Sequence, residues 1–506
     1  MIGILKSHQI RECEQATFAS VSPIKIIENV GELVVEFIEN ELPEISKGKI
    51  VVLCGKGNNG ADAYSVASVL ASKNLNVFCI DIFDKPSTKE NSHFRSKLDK
   101  EVGSISKLSE LSLDGLGEML HDSALIIDGI FGISGTAIKD DDIGTLVTYL
   151  NDLCSDLLIP ILSLDLPSGI ICDSLELPEV YVHASMTLTF QHAKYCMLSP
   201  EVYVALGCLT TCNVGLKDAE APEFTMISTS FVNELKGTPD PLAHKGSKGQ
   251  VLVLGGNIGS LGAAMLAGRA AFRSGAGLVT LLLPDRLLEL ASPHLYEMMG
   301  SSRTIPRATI DTLDIPSRRS KSSLIIGPGL QVTDESRTLV RDYLEIAARR
   351  NVPTVIDADG LTLLAGMTDI KLPQICCLTP HIGEMAKLLG VANHEIERDR
   401  LLAVRACAKK YNTNVLLKGP LSLISTPDGV IYLNTTCTSS LATAGSGDVL
   451  SGIVGSFLAN GLDSLSALIC AVYFHGKAGM ELEDTLGDGT MATDLIEILP
   501  EVMLAS

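Results

Sequence analysis

Ala442-Thr443-Ala444-Gly445-Ser446-Gly447-Asp448-Val449-Leu450-Ser451-Gly452 is the stretch on which the reading of the fold turns. Two glycines flank a serine, an aspartate follows, and an apolar run of helical character begins at once. Glycine lets the backbone come close to an anion, and the unpaired N–H groups of a helix start then face it. A carboxylate is a poor ligand for an anion. Asp448 in that place therefore points to proton transfer beside a bound phosphate.

Upstream of this turn, β-rich runs at 250–254, 279–283, 323–326, 353–357 and 414–418 alternate with helical segments. The helical segments are 263–273, 336–350 and 447–460. The first half alternates likewise, with strand candidates at 49–53, 76–82, 124–128 and 160–164 and a helix over 62–73. Such alternation predicts an α/β fold made of two three-layer α/β/α domains, each with a parallel sheet. The pattern weakens from 216 to 237, so a boundary is expected near 225–240, giving domains 1–225 and 237–506.

Composition narrows the partners. The chain has 506 residues, 46% hydrophobic and 20% charged, with a net charge of -20. That balance suits compact domains and argues against unaided binding to nucleic acid or to an anionic membrane. A small anionic ligand would be held by local N–H groups and a few cations. Residues 1–9 are too short and mixed for a signal peptide, and no apolar run is long enough for a membrane span. The thirteen cysteines are scattered without a Cys-x-x-Cys pair, which reads as free thiols in a reducing compartment. A cytoplasmic homo-oligomer is the expectation.

In open α/β sheets ligands sit beyond the carboxyl ends of the strands. In the first half those ends carry Gly55-Lys56-Gly57-Asn58-Asn59-Gly60-Ala61-Asp62, Asp128-Gly129-Ile130-Phe131-Gly132-Ile133-Ser134-Gly135-Thr136 and Leu164-Asp165-Leu166-Pro167-Ser168-Gly169. The first lacks the Gly-Lys-Ser/Thr ending of a P-loop and the dinucleotide spacing. Asn59, Asp128 and Ser168 offer hard oxygen ligands that suit an alkali or alkaline-earth ion. Asp165 is a candidate proton-transfer group. The plain alternative for Asp128 and Asp165 is a carboxylate that caps the next loop.

Gly57-Asn58-Asn59-Gly60-x-Asp62, with the segment 164–169, resembles the NAD(P)HX epimerase family of the YjeF N-terminal type, over residues 1–225. The resemblance implies a Rossmann-like domain that equilibrates the R and S forms of hydrated NADH and NADPH and binds potassium. It implies that Asn58, Asn59, Gly60, Ala61 and Asp62 contact the hydrate, with Gly132, Ile133, Ser134, Gly135, Thr136, Ala137 and Ile138. It further implies that Asn59, Asp128 and Ser168 hold K+ and that Asp165 acts near the reacting carbon. Three departures stand out. Ala61 and Ala63 replace two glycines, Ile27-Glu28-Asn29-Val30-Gly31 stands in for Met-Glu-x-Ala-Gly, and 136–139 lack the arginine usual there.

In the second half the strand ends carry Gly255-Gly256-Asn257-Ile258-Gly259-Ser260-Leu261-Gly262, Gly327-Pro328-Gly329, Asp357-Ala358-Asp359-Gly360, Thr379-Pro380-His381-x-Gly383-Glu384 and Leu417-Lys418-Gly419. With the Gly445–Asp448 turn, this order resembles the ribokinase-like superfamily. Within it, residues 237–506 resemble the ADP-dependent NAD(P)HX dehydratases. By that resemblance Lys418, Gly419, Pro420, Leu421, Ser422 and Gly447 bind ADP or ATP, with Mg2+ expected beside the nucleotide. Ala264, Gly329, His381 and Asp448 contact the hydrated nicotinamide, and Asp448 is the base. Ile382, Gln331 and Thr438-Ser439-Ser440-Leu441 depart from that family's usual residues. His475, in an apolar helical stretch, reads as a packing residue. Two other readings compete: a ribokinase-type kinase for a vitamin or sugar, and a first half that keeps a fold without catalysis.

Overall fold

The computed structural model describes residues 1–102, 105–139, 142–238, 240–303 and 322–505. The chain divides into two compact units, Ile2–Pro222 and Glu223–Ser506, the latter with Met1. The division lies ahead of the expected start at 237. Strand Phe224–Met226 pairs in parallel with Ile431–Asn434, and helix Thr229–Lys236 sinks Val232 into the second core. A three-residue strand among polar residues leaves no readable period, which is why the sequence pattern looked like a linker there.

The first unit is built on a seven-stranded sheet. Its order is Ser106–Lys107, Val77–Asp81, Lys49–Cys54, Ser123–Gly129, Ile161–Leu164, Met186–Phe190, Cys208–Cys212. Every pairing is parallel. Val51, Val52, Ile126 and Ile127 are all buried. Consecutive rather than alternate burial is what a parallel strand covered on both faces requires. Val52 and Ile127 pack with helices Pro23–Glu41 and Asn58–Ser72, while Val51 and Ile126 pack with helix Asp142–Leu157 on the other side. The strand order reverses between Lys49–Cys54 and Ser123–Gly129, so a crevice opens beyond their carboxyl ends.

The second unit has a ten-strand run ordered Met299–Ser302, Leu278–Leu283, Gln250–Leu254, Ser322–Ile326, Thr354–Ile356, Cys376–Leu378, Asn414–Leu417, Ser422–Ser425, Ile431–Asn434, Phe224–Met226. Only Ser422–Ser425 runs antiparallel to its neighbours. It forms a hairpin with Ile431–Asn434 through Pro427-Asp428-Gly429, a turn signal that sequence reading passed over. The order reverses between Gln250–Leu254 and Ser322–Ile326. There the two strand-end loops lock together: Gly256 N donates to Pro328 O at 2.8 Å, and Gly327 N to Leu254 O at 3.0 Å. Helix Ser446–Asn460 packs beside helix Leu261–Arg273 over this sheet. No helix among the described residues is long and apolar enough to cross a membrane.

Candidate active sites

A cavity of about 930 Å³ opens at the reversal point of the first sheet. Its wall begins with the loop that leaves Lys49–Cys54. A Cβ on Gly60 would lie 1.9 Å from Gly55 O, so the helix can start against this loop only with glycine there. Asn91 Nδ2 clamps the loop by donating to Gly55 O at 3.0 Å and to Gly57 O at 2.8 Å. Asn58, Asn59 and Asp62 reach the cavity. Gly60 and Ala61 do not: both are buried on the inward side of helix Asn58–Ser72, which corrects their expected contact with a ligand. Ala63 is buried too, so the two alanines that replace glycines put their methyls into the core.

Gly132, Ile133, Ser134, Gly135, Thr136, Ala137 and Ile138 all line the cavity. Arg11, on helix Ser7–Phe18, donates from Nη2 to Ser134 Oγ at 3.2 Å. An arginine thus reaches this loop from a distant segment, which no local motif announces.

Asp165 closes the floor in a left-handed backbone conformation, φ 67°. It accepts from Phe190 N at 3.2 Å and from the ammonium of Lys194. Lys194 is 1% exposed and also donates to Thr189 Oγ1 at 2.7 Å, His192 O at 3.0 Å and Phe190 O at 3.2 Å. Asp62 and Glu14 share the cavity. Burial, then the neighbouring carboxylates led by Asp165, hold the Asp62 carboxyl well above its usual range, against the pull of Lys194. Glu14 is raised by burial and then by Asp165.

Asn59, Asp128 and Ser168 also come together. Asp128 is fully buried and accepts from Ser168 Oγ at 2.6 Å, Ser168 N at 2.8 Å, Ser163 Oγ at 2.9 Å and Ile130 N at 3.2 Å. Burial still raises its carboxyl, against these bonds. Phe131 N donates to Ser168 Oγ at 2.9 Å, and Asn59 Nδ2 to Phe131 O at 2.9 Å. The donor set is all oxygen, without thiolate or imidazole, and fits a hard alkali cation. Its entry would displace at least one of the bonds that Asp128 accepts.

In the second unit the chemistry gathers around Lys418. Its ammonium donates to Asp357 Oδ1 at 2.7 Å and lies 3.8 Å from Glu384 Oε2. Asp357, 1% exposed, also accepts from Ser451 Oγ at 2.5 Å. Burial sets Lys418 toward a lower value, but Asp357 and Glu384 together leave it raised. A Cβ on Gly447 would lie 3.3 Å from Lys418 Nζ and 3.9 Å from Asp357 Oδ2, so the glycine turn adjoins this pair. Gly445 makes the turn with φ 88°, a conformation open mainly to glycine. Asp448 stands in the first turn of helix Ser446–Asn460. Burial, then Asp357, push it up to about 7, while Lys418 pulls the other way. Glu384 is likewise raised to about 7 by burial, against Lys418.

His381 caps helix Ile382–Leu389. Its Nδ1 accepts from Gly383 N at 3.0 Å, and Glu384 Oε2 accepts from His381 N at 2.8 Å. The ring itself is exposed. Desolvation of its packed edge, then Lys418, lowers its pKa. Gly329 is held by Ser260 Oγ, which donates to Gly329 O at 2.8 Å. Gly419 and Pro420 are exposed beside Lys418 and Ser422 is half-buried, but Leu421 is buried with its carbonyl taken by Arg400 at 2.5 Å. Ala264 is fully buried beneath Gly255 and Gly256 and exposes no surface to a ligand, contrary to expectation. Asp357 and Ser451 were missed as members of the site, although Asp357-Ala358-Asp359-Gly360 had marked a strand end.

Family models match both halves. Residues 24–196 match "YjeF-related protein N-terminus", and residues 251–501 match "NAD(P)H-hydrate dehydratase". The bifunctional NAD(P)H-hydrate repair enzyme of Moorella thermoacetica is 31% identical, covering 96% of this chain and 93% of that protein. That of Coxiella burnetii is also 31% identical, covering 98% of each. A ribokinase-like superfamily protein of Enterococcus faecalis, solved at 1.80 Å, overlays with a TM-score of 0.50 at 23% identity, over 57% of this chain and 98% of that one.

Proposed function

The chain belongs to the family of bifunctional NAD(P)H-hydrate repair enzymes, and from that premise we propose how its two sites divide the work. The first unit interconverts the R and S hydrates of NADH and NADPH. The second dehydrates the S form at the expense of ADP or ATP. The observation that carries the second assignment is the carboxyl of Asp448, raised to about 7 and set between a glycine turn and the Lys418–Asp357 pair.

At the second site the hydroxyl of the hydrated ring attacks the terminal phosphate of the nucleotide, and Asp448 takes its proton. Lys418 and the Gly447 N–H meet the charge that develops on the transferred phosphoryl group. Inorganic phosphate then leaves with the C–O bonding pair, a neighbouring ring carbon loses a proton, and the ring double bond returns. Gly329 and His381 flank the hydrate, and Lys418, Gly419, Pro420 and Ser422 the nucleotide. Mg2+ would ride mainly on the nucleotide's own phosphates, since no group of three His, Cys, Asp or Glu side chains that could hold a metal occurs among the described residues.

At the first site the hydroxyl-bearing carbon lies next to the ring nitrogen, whose lone pair can expel the hydroxyl. Asp62, its carboxyl raised well above the usual range by burial and Asp165, is placed to donate to the departing oxygen, and Asp165, fixed by Lys194, handles the proton of the water that returns on the other face. Asn59, Asp128 and Ser168 would hold K+, which would supply a fixed positive charge at the cavity wall. A cytoplasmic setting accords with thirteen cysteines that are all free, and light scattering would test the homo-oligomer.

Relatives matched over nearly their whole length favour repair over a vitamin or sugar kinase. The intact Asp165–Lys194 pair in an open cavity favours a catalytic first unit over an inert one. The test supplies pure R or pure S hydrate with ADP or ATP and follows reduced-nicotinamide absorbance and phosphate release. S hydrate should convert at once with one phosphate released per ring restored, and R hydrate should convert fully by way of S. A stable phosphorylated product would overturn the dehydratase reading. Failure of R hydrate to convert beyond its spontaneous rate would overturn the epimerase reading.

A further inference from the structure

We propose that His475 is a positioning residue for phosphoryl transfer, holding the Ser446–Gly447 peptide so that the Gly447 N–H faces the nucleotide's terminal phosphate. The inference rests on the dehydratase reading of the second unit.

His475 lies on helix Ser464–Leu486 and is 7% exposed. Its Nε2 is 3.0 Å from Ser446 O and 3.1 Å from Ser446 Oγ. A carbonyl oxygen only accepts, so Nε2 carries the proton and donates. In a planar trans peptide the C=O and the following N–H point in opposite directions. A histidine that draws Ser446 O to one side therefore sets the Gly447 N–H on the other side of the peptide, and Gly447 itself adjoins Lys418 and Asp357. The tether is needed because glycine stands on both sides of Ser446, and Gly445 already has φ 88°. Such a turn has many backbone states to lose on ordering. Burial also pushes the imidazole down to about 4, so the donor is neutral at ordinary pH and leaves the local charge to Lys418.

The experiment compares His475→Gln, which keeps an amide donor near the position of Nε2, with His475→Leu, which fills the space without a donor. Full-length protein is assayed with S hydrate and ADP. His475→Leu should lower kcat roughly ten- to hundredfold, as for an anion-hole donor that is loosened, with KM for the hydrate within about twofold. His475→Gln should recover most of kcat. Backbone hydrogen exchange over residues 443–450 should quicken in the leucine variant and not in the glutamine one. Epimerisation should be equal in all three proteins. If His475→Leu fails to fold, His475→Asn, one bond too short to reach the carbonyl, takes its place. Equal kcat in donor and non-donor variants, or equal exchange, overturns the proposal. If wild-type protein releases no phosphate from hydrate and ADP, the dehydratase reading falls, while the exchange comparison still judges the tether.

Discussion

Lys418 donates to Asp357 Oδ1 at 2.7 Å, and that bond ties the end of strand Asn414–Leu417 to the end of strand Thr354–Ile356 beside the glycine turn that carries Asp448. Asp448 lies in the field of both partners, and they act on it in opposite senses.

The pH profile follows from that opposition. Asp448 can accept a proton only once it has lost its own, so kcat/KM for dehydration should rise with pH and level off above about 7. Asp357→Asn removes a like charge and should move this limb to lower pH. Lys418→Met removes an opposite charge and should move it higher. Rates measured between about pH 5 and about pH 9 read all three limbs. A limb that stays put in both variants would exclude Asp448 as the titrating group.

Asp448→Asn keeps the size of the side chain and removes the base. Dehydration should fall by about a hundredfold to ten-thousandfold, the usual worth of a positioned general base. Epimerisation should not change, since Asp448 belongs to the second unit and the epimerase cavity lies in the first. Proton NMR of the two hydrates reads the second activity directly. Loss of both activities would contradict two separate sites.

Restoring glycine at Ala61 or Ala63 should not raise epimerase activity. Both methyls lie inside helix Asn58–Ser72 and away from the cavity. Ala61→Gly and Ala63→Gly should each cost roughly 0.5–1 kcal/mol from the added chain freedom alone, and more where core contacts are lost. Urea unfolding beside an epimerase assay separates the two effects. A faster enzyme would show that the methyls hinder the substrate.

What could be read from the sequence was what lies close along it. The strand-end loops at 55–62, 128–136, 255–262 and 445–448 announced themselves by glycine density, and the parallel sheets by alternation with helices. Groups that act from far away left no local mark. Arg11 meets Ser134 across 123 residues, and Ser451 meets Asp357 across 94. Only the fold shows that Lys194 is buried among four oxygen acceptors. Ala264 and Leu421 erred the other way: they sit in the right segments, but the side-chain period turns them inward.

Lys194→Met should cost the first unit about 3–5 kcal/mol, because it leaves the buried Asp165 without its cation. Epimerisation should be lost, and dehydration of pure S hydrate should persist. Lys194→Arg should not rescue it, since a guanidinium is too broad for acceptors spaced around one nitrogen. Calorimetry on the full chain should show an early transition for this unit alone. A single unshifted transition with full epimerase activity would remove Lys194 from the mechanism.

Histidine burial predicts how stability responds to acid. His475 has a folded value of about 4 against 6.5 for a free imidazole, so between these the unfolded chain binds more protons than the folded one. The sign is therefore loss of stability as pH falls below about 6.5, reaching about 2 kcal/mol by about pH 5. Asp448 and Glu384 act oppositely, since their folded values near 7 lie above the usual carboxylate range and acid stabilises the fold through them. The two contributions oppose each other in wild type, and a difference between proteins isolates the histidine one. His475→Gln removes only the histidine contribution. Its Tm relative to wild type should rise as the pH is lowered from about 7 to about 5, while any constant cost of the substitution stays the same at every pH. Differential scanning calorimetry at several pH values gives the gap directly. A gap that does not change with pH would mean that His475 titrates in the folded protein as it does in the unfolded chain, and that it is not sealed behind the glycine turn.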